Sequence, residues 1–179
     1  MKTKLIYTAH AVLALTLLAL ASCASPASPT AMVPSDANVR KKHNATVNVA
    51  VTGGHTTNPL WTSQVSNEDF KQALETSLTR YGVFSRVIQD GSANYRLDVS
   101  LVRLKQPMVG FDMTVTAEVA WKLTDARSGR VLWQQTTTTP FTATVGDAFM
   151  GVQRLGLANE GAIRQSIKTG IEHISALSF

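Results

Sequence analysis

Among the side chains of this 179-residue sequence that could perform nucleophilic chemistry, the most distinctive is its single cysteine, Cys23. A thiol can act as a catalytic nucleophile when a base lies beside it, or it can be the site of a covalent modification. Cys23 lies between an apolar run and a stretch rich in Ala, Ser and Pro, "LTLLALASCASPASPT", which contains no His, Asp or Glu. A lone cysteine cannot form an internal disulfide. This setting favours modification over catalysis.

The sequence before Cys23 has the order of a secretory signal peptide. Two basic residues, Lys2 and Lys4, precede an apolar core from Ala11 to Ala21, and small residues follow the core. The core has only about half of the roughly 20 apolar residues that a helix needs to span a bilayer. Residues 1–22 are therefore predicted to be a cleaved signal peptide rather than a transmembrane anchor.

The four residues "LASC" (Leu20 to Cys23) resemble the lipobox of bacterial lipoproteins. The resemblance implies that Cys23 becomes the first mature residue and carries acyl chains such as palmitate. Two or more acyl chains hold a protein stably on a bilayer, whereas one holds it only marginally. Ala24 stands where an Asp commonly signals retention in the inner membrane, so the resemblance also implies an outer-membrane anchor with the domain facing the periplasm. The alternative is a free thiol inside an ordinary signal peptide.

The residues after Cys23 predict a tether and then one domain. Residues 23–45 are predicted to form the acylated N-terminus and a disordered tether, because they are rich in Ala, Ser, Pro and Asn and poor in apolar side chains. The basic run Arg40 to His43 near its end could lie on anionic lipid head groups or be a solvated charge run. Without residues 1–22 the chain has 15 basic and 12 acidic side chains, a net charge of +3 that gives no reason to expect a nucleic-acid partner.

Residues 46–179 are predicted to form a periplasmic domain that begins with a strand, a helix and a strand. "TVNVAVT" (Thr46 to Thr52) has the β-branched composition of a strand. "VSNEDFKQALETSLTRYG" has helical periodicity, with Ser66 as the N-cap and Gly82 as the stop. "VFSRVIQ" is the next strand. In the strand after it the alternation changes phase near Val102 and Leu104, which indicates either a bulge or burial on both faces.

The second half of the chain predicts a hairpin and an amphipathic helix. "FDMTVTAEVAWKL" alternates apolar and polar residues, so we expect a strand that places Phe111 to Leu123 alternately in the core and in water. "VLWQQTTTT" returns antiparallel, with the threonine run as a solvent-facing strand end. Residues Ile163 to Leu177 carry a helical apolar stripe. The predicted fold class is α+β: a two-layer sandwich with a mixed, mostly antiparallel sheet of about five strands and two helices on one face.

No combination of residues in the sequence marks a catalytic, cofactor or metal site. The G-x-S-x-G and H-E-x-x-H patterns are missing, and "GGH" after the first strand lacks the spacing and the lysine of a phosphate loop. His43, His55 and His173 lack the spacing of metal ligands and are predicted to be solvated. We therefore expect no cofactor and no enzymatic activity.

Two stretches are candidates for contact with a partner. Met108 and Val109 lie on a connection between strands, where they could bind a partner or fold back under the sheet. The segment from Phe149 to Ala162 could be a docking surface or the start of the last helix, and Asn159 as an N-cap favours the latter.

The segment "GDAFMGVQRLGLANEGAIRQSI" (146–167) resembles a stretch of a family of small proteobacterial outer-membrane lipoproteins, some of them labelled UDP-N-acetylglucosamine acyltransferase. In layout the chain is similar to lipopolysaccharide-assembly lipoproteins, auxiliary lipoproteins of ABC-type transporters and the TolB N-terminal domain. The resemblance implies a binding or assembly accessory module of the cell envelope that contacts a protein, lipid or glycan. The alternative is an envelope enzyme, such as a sugar-nucleotide acyltransferase.

Overall fold

Five strands form one mixed sheet in the order β2-β1-β3-β4-β5. The computed structural model describes residues 25–57 and 63–179. Within these residues β1 is parallel to both β2 and β3, and the pairs β3–β4 and β4–β5 are antiparallel. The strands are β1 (His43–Thr52), β2 (Phe84–Val87), β3 (Tyr95–Lys105), β4 (Met113–Asp125) and β5 (Val131–Ala143). The predicted α+β class and the predicted order of elements are confirmed.

Helix α1 (Asn67–Tyr81) connects β1 to β2 and has the predicted ends. The Ser66 hydroxyl oxygen accepts a hydrogen bond from the Asp69 backbone N–H at 3.0 Å, which satisfies one of the free donors of the first turn. Gly82 ends the helix with a φ of 60°, a left-handed conformation that glycine adopts without a steric penalty.

Helix α2 (Gly151–Ala176) covers β4 and β5 with the predicted apolar stripe. Ile163, Ile167, Ile171 and Ile174 are fully buried. The helix begins at Gly151, so Asn159 lies inside it and the prediction of Asn159 as an N-cap is wrong. The interior of the helix passes close to the sheet, because an added Cβ at Gly170 would lie 2.7 Å from the ring of Trp121.

The core face of β4 follows the predicted alternation from Met113 to Leu123, and Trp121 is fully buried at its centre. Phe111 was also predicted on this face, and that prediction is wrong. Pairing with β5 begins at Met113, so Phe111 lies in the preceding loop and is exposed. The predicted bulge in β3 is confirmed by a shift of register between Leu101 and Arg103.

The threonine run of β5 contributes to the core, so its prediction as a solvent-facing strand end is wrong. Thr137 and Thr139 are buried and alternate with exposed Thr136 and Thr138. The Thr137 hydroxyl oxygen accepts from the Trp121 Nε1–H at 3.1 Å, and the Thr139 hydroxyl donates to the Ala162 carbonyl at 2.9 Å. A hydroxyl can be buried at little cost when it is hydrogen-bonded in this way.

Residues 25–42, here called the strap, lie along α2 rather than forming the predicted disordered tether. Its backbone contacts follow the helix from one end to the other: Ser28 with Glu160, Ala31 with Arg164, Asn38 with Glu172 and Arg40 with Ser175. Ala27, Met32 and Val33 are buried in the core. The prediction of disorder is wrong for these residues because side chains of a distant helix satisfy the backbone of the strap. The predicted signal peptide and Cys23 lie outside the described residues.

None of the helices formed by residues 25–57 and 63–179 is both long enough and apolar enough to cross a membrane.

Candidate functional site

Two loops meet at one end of the sheet. The β3–β4 loop (106–112) leads into Met113, and the β5–α2 loop (144–150) begins after Ala143. Met113 pairs directly with Ala143, so the two loops leave the sheet side by side. The first residues of α2 lie beside them, because an added Cβ at Gly151 would be 3.5 Å from the Met113 methyl.

These two loops carry the four most exposed large apolar side chains of the described residues. The exposed fractions are 98% for Met108, 86% for Val109, 86% for Phe111 and 90% for Phe149. We call these four residues the apolar tip. Groups of exposed apolar side chains on a soluble surface are candidate contact sites, so the apolar tip is the candidate site of this domain. The tip includes the predicted Met108 and Val109. Phe149 begins the segment for which a docking surface was the less favoured alternative, and sequence reasoning missed Phe111, which it placed in the core.

Hydrogen bonds hold the backbone of the β5–α2 loop in place beneath Phe149. The Asp147 carboxylate accepts from the backbone N–H and the hydroxyl of Thr144 at 2.7 and 2.9 Å, and the Thr144 N–H holds the pKa of Asp147 below its ordinary value. The buried Arg154 Nη1 donates to the carbonyls of Ala148 and Phe149 at 2.8 and 2.6 Å. The exposure of Phe149 therefore results from a loop whose backbone is fixed.

A hydrogen-bonded pair of side-chain amides, from half-buried Gln106 and buried Asn159, fixes the start of the β3–β4 loop. Gln106 Nε2 donates to the Ser63 carbonyl at 2.8 Å and to Asn159 Oδ1 at 2.9 Å. Asn159 Nδ2 donates to the same Ser63 carbonyl at 2.9 Å. Asn159 therefore links α2 to this loop instead of capping the helix. A sequence signal was available, because Leu155, Ala158 and Ala162 continue the apolar spacing of α2 upstream of its isoleucines.

The strap begins at this same end. The Ser25 carbonyl accepts from the Ser63 hydroxyl at 3.0 Å, and Ser28 N–H donates to Glu160 Oε1 at 2.7 Å. Burial raises the pKa of Glu160 above its ordinary value. Ser25 also borders a cleft of about 350 Å³ whose other walls include Ala148 and Leu157. The N-terminus of the described chain thus lies close to both loops of the apolar tip.

The histidines do not form a reactive group within residues 25–57 and 63–179. His43 is buried, its Nε2 lies 3.0 Å from the Ile174 carbonyl, and its ring stacks on Phe179 at 4.3 Å. The prediction that His43 is solvated is therefore wrong. His173 contacts the Trp133 ring edge-on at 6.0 Å, and His55 is exposed on a loop. No group of three or more potential metal ligands occurs among these described residues.

The fold is shared with several solved structures of low sequence identity. A DUF330 protein from Xanthomonas campestris superposes with a TM-score of 0.65 at 15% identity, covering 84% of this chain and 95% of that chain. A structure described as a putative lipoprotein from Caulobacter crescentus gives 0.51 at 15% identity, with 72% and 87% covered. The PelC dodecamer from Paraburkholderia phytofirmans gives 0.51 at 16% identity, with 80% and 96% covered.

No protein-family model matches the sequence, and no curated protein is significantly similar to it. The chain is therefore an α+β domain that shares its fold with a structure described as a putative lipoprotein. In this chain the N-terminal strap begins beside the exposed apolar tip.

Proposed function

We propose that this protein is a lipoprotein held on the periplasmic face of the outer membrane by acylated Cys23, where it acts as a binding or assembly accessory module of the cell envelope. The observation that carries this proposal is that the described chain packs on the domain from Ser25, two residues after Cys23. Two residues span at most about 7 Å. An acylated Cys23 would therefore hold the domain directly on the lipid surface.

The side chains that form the apolar tip support a binding role. Binding requires apolar anchors on a fixed backbone, and Met108 and Val109 provide exposed apolar side chains next to the Gln106–Asn159 pair. The nearby Thr144, Asp147 and Arg154 side chains are engaged in holding the β5–α2 loop. The auxiliary lipoproteins that the sequence resembles in layout have this kind of accessory role, and the structure described as a putative lipoprotein shares the fold.

The anchoring part of the proposal is tested by the chemical state of the mature N-terminus. The full chain is expressed in a Gram-negative host, and the mature protein is analysed by mass spectrometry and by fractionation at high salt. We expect a diacylated or triacylated Cys23 in the outer-membrane fraction. Cys23→Ser should remain unprocessed or leave the membrane, and Ser25→Ala is the matched control, because only the Ser25 backbone carbonyl is used in the structure. A Cys23→Ser protein that matures and stays bound would contradict the proposal.

The accessory role is tested by binding and by turnover. A Met108→Ser/Val109→Ser protein should lose the envelope component that crosslinks to the wild type, with an unchanged unfolding temperature, since both side chains are exposed. Val131→Ser is the matched control, because Val131 is half-exposed at the start of β5, at the other end of the sheet. Turnover of an acyl donor and a UDP-sugar that one point substitution abolishes would show an enzyme instead.

A further inference from the structure

We propose that the apolar tip is a membrane-contacting surface whose four side chains insert into the head-group region of the bilayer that holds Cys23. The inference rests on the proposed acylation of Cys23. It names the bilayer itself as the partner of the surface that contains Met108 and Val109.

The first support is the position of the chain's N-terminus relative to both loops of the tip. Ser63 bonds to the Ser25 carbonyl through its hydroxyl at 3.0 Å, and its own carbonyl accepts from Gln106 at 2.8 Å. Two hydrogen bonds therefore connect the start of the strap to the start of the β3–β4 loop. On the other side, Ser25 lines a cleft with Ala148, the residue before Phe149.

The second support is the length of chain between the acyl chains and the domain. From Cys23 to Ser25 the backbone reaches at most about 7 Å, which is less than the diameter of a helix. Acyl chains in the bilayer thus bring this end of the domain to the head groups. The exposed Phe, Met and Val side chains then transfer from water into an apolar environment, which is favourable.

The third support is that the backbone of the tip is already held in place by hydrogen bonds before any contact with a membrane. Arg154 holds the carbonyl of Phe149, and Gln106 fixes the strand end two residues before Met108. A surface with a fixed backbone avoids much of the entropy loss that binding otherwise costs.

The basic run is the competing membrane contact, and its position argues against it. The strap follows α2 from Glu160 to Ser175, a distance of about 22 Å at 1.5 Å per residue. Arg40, Lys41 and Lys42 therefore lie at the end of the domain away from the tip. A bilayer that the tip enters end-on does not reach the basic run, and Cys23 lies within two residues of the end that carries the tip.

The test places an environment-sensitive dye at each end of the domain. Full-length protein carrying Phe111→Cys, Phe149→Cys or Lys41→Cys is labelled with a thiol-reactive nitrobenzoxadiazole dye and reconstituted in vesicles of phosphatidylethanolamine and phosphatidylglycerol. The acylated Cys23 has no free thiol and does not react. A second arm replaces Cys23 with a histidine tag bound to nickel-chelating lipids, so the tip is tested without acylation. Unchanged unfolding temperatures verify that each labelled variant is folded.

We expect the emission of dyes at 111 and 149 to shift to shorter wavelengths in both arms and to be quenched by spin-labelled lipids. The dye at 41 should keep the emission wavelength that it has in water. Equal, water-like emission at all three positions would overturn the proposal, as would a shift at 41 that grows with phosphatidylglycerol. A shift without vesicles that rises with protein concentration would assign the tip to a second copy. A shift that needs native membranes would assign it to a protein partner. Mass spectrometry reports failure of acylation separately.

Discussion

Substitution of Gly170 by alanine tests the closest approach between α2 and the sheet. An added Cβ would lie 2.7 Å from both Cη2 and Cζ2 of Trp121 and 2.9 Å from Cζ3. Carbon atoms pack at about 3.5–4.0 Å, and Trp121 is fully buried, so the ring or the helix has to move. Overpacking of this kind costs about 1–3 kcal/mol.

The helix itself gains from the same substitution. Alanine in a helix interior is about 0.5–1 kcal/mol more favourable than glycine. Gly170→Ala should therefore destabilise the protein by a net amount between zero and about 2.5 kcal/mol, and the net value alone would not identify the cause.

A thermodynamic cycle with Trp121→Phe separates the two contributions. Phenylalanine lacks the outer atoms of the indole that approach Gly170, so in that background Gly170→Ala should stabilise by the helix contribution of about 0.5–1 kcal/mol. The interaction energy between the two sites should be about 1–3 kcal/mol, within the range for residues in contact. Equilibrium urea unfolding followed by circular dichroism on the four proteins measures it. The same effect of Gly170→Ala in both backgrounds would refute the placement of Trp121 over Gly170.

Three further predictions follow from the core and the strap. Trp121→Ala should cost about 3–5 kcal/mol and Thr116→Ala, on the opposite face of β4, almost nothing, and similar melting temperatures would show that the faces are assigned wrongly. Asn159→Ala should cost about 1–3 kcal/mol by leaving the amide of Gln106 and a buried carbonyl short of partners, and a cost below about 0.5 kcal/mol in urea unfolding would contradict the pairing. Because burial raises the pKa of Glu160, its ionisation penalises folding, so stability declines as pH rises from the ordinary glutamate pKa through the raised one. Glu160→Gln should therefore raise the melting temperature at pH 7 and lose this advantage in acid, and an advantage that is the same at both pH values would exclude the carboxylate as its source.

Local patterns were sufficient to predict α1 and the strands, although not the order of the strands in the sheet. The N-cap at Ser66 and the C-terminal Gly82 each act within one turn of α1. The alternation of apolar and polar residues in β4 corresponds to one face in the core and one face towards solvent. The bulge at Val102 was visible as a change of phase in a single strand. Each of these features depends only on residues that are close together in the sequence.

The errors occurred where the partner of a residue lies far away in the sequence. Thr137 is buried because Trp121 and Ser166 bond its hydroxyl, and neither partner can be inferred from a run of threonines. The composition of the strap indicated disorder. That prediction failed because the residues of α2 that order the strap are 132–135 residues away in the sequence. The predicted contact residues Met108 and Val109 did prove exposed, whereas the spatial grouping with Phe149 required the pairing of β4 with β5.

The distance in sequence between the strap and α2 also sets an order of events in folding. A chain that emerges from its N-terminus has the strap first and its main docking helix last, so the strap cannot dock on α2 until residues 151–176 are present. Closing a loop of more than 130 residues is slow relative to forming α1 with its neighbouring strands. Docking of the strap is therefore a late step that requires an intact C-terminus. Until then the strap lacks its hydrogen bonds to α2, so under the proposed acylation of Cys23 only a fully folded chain would acquire a fixed orientation on the membrane.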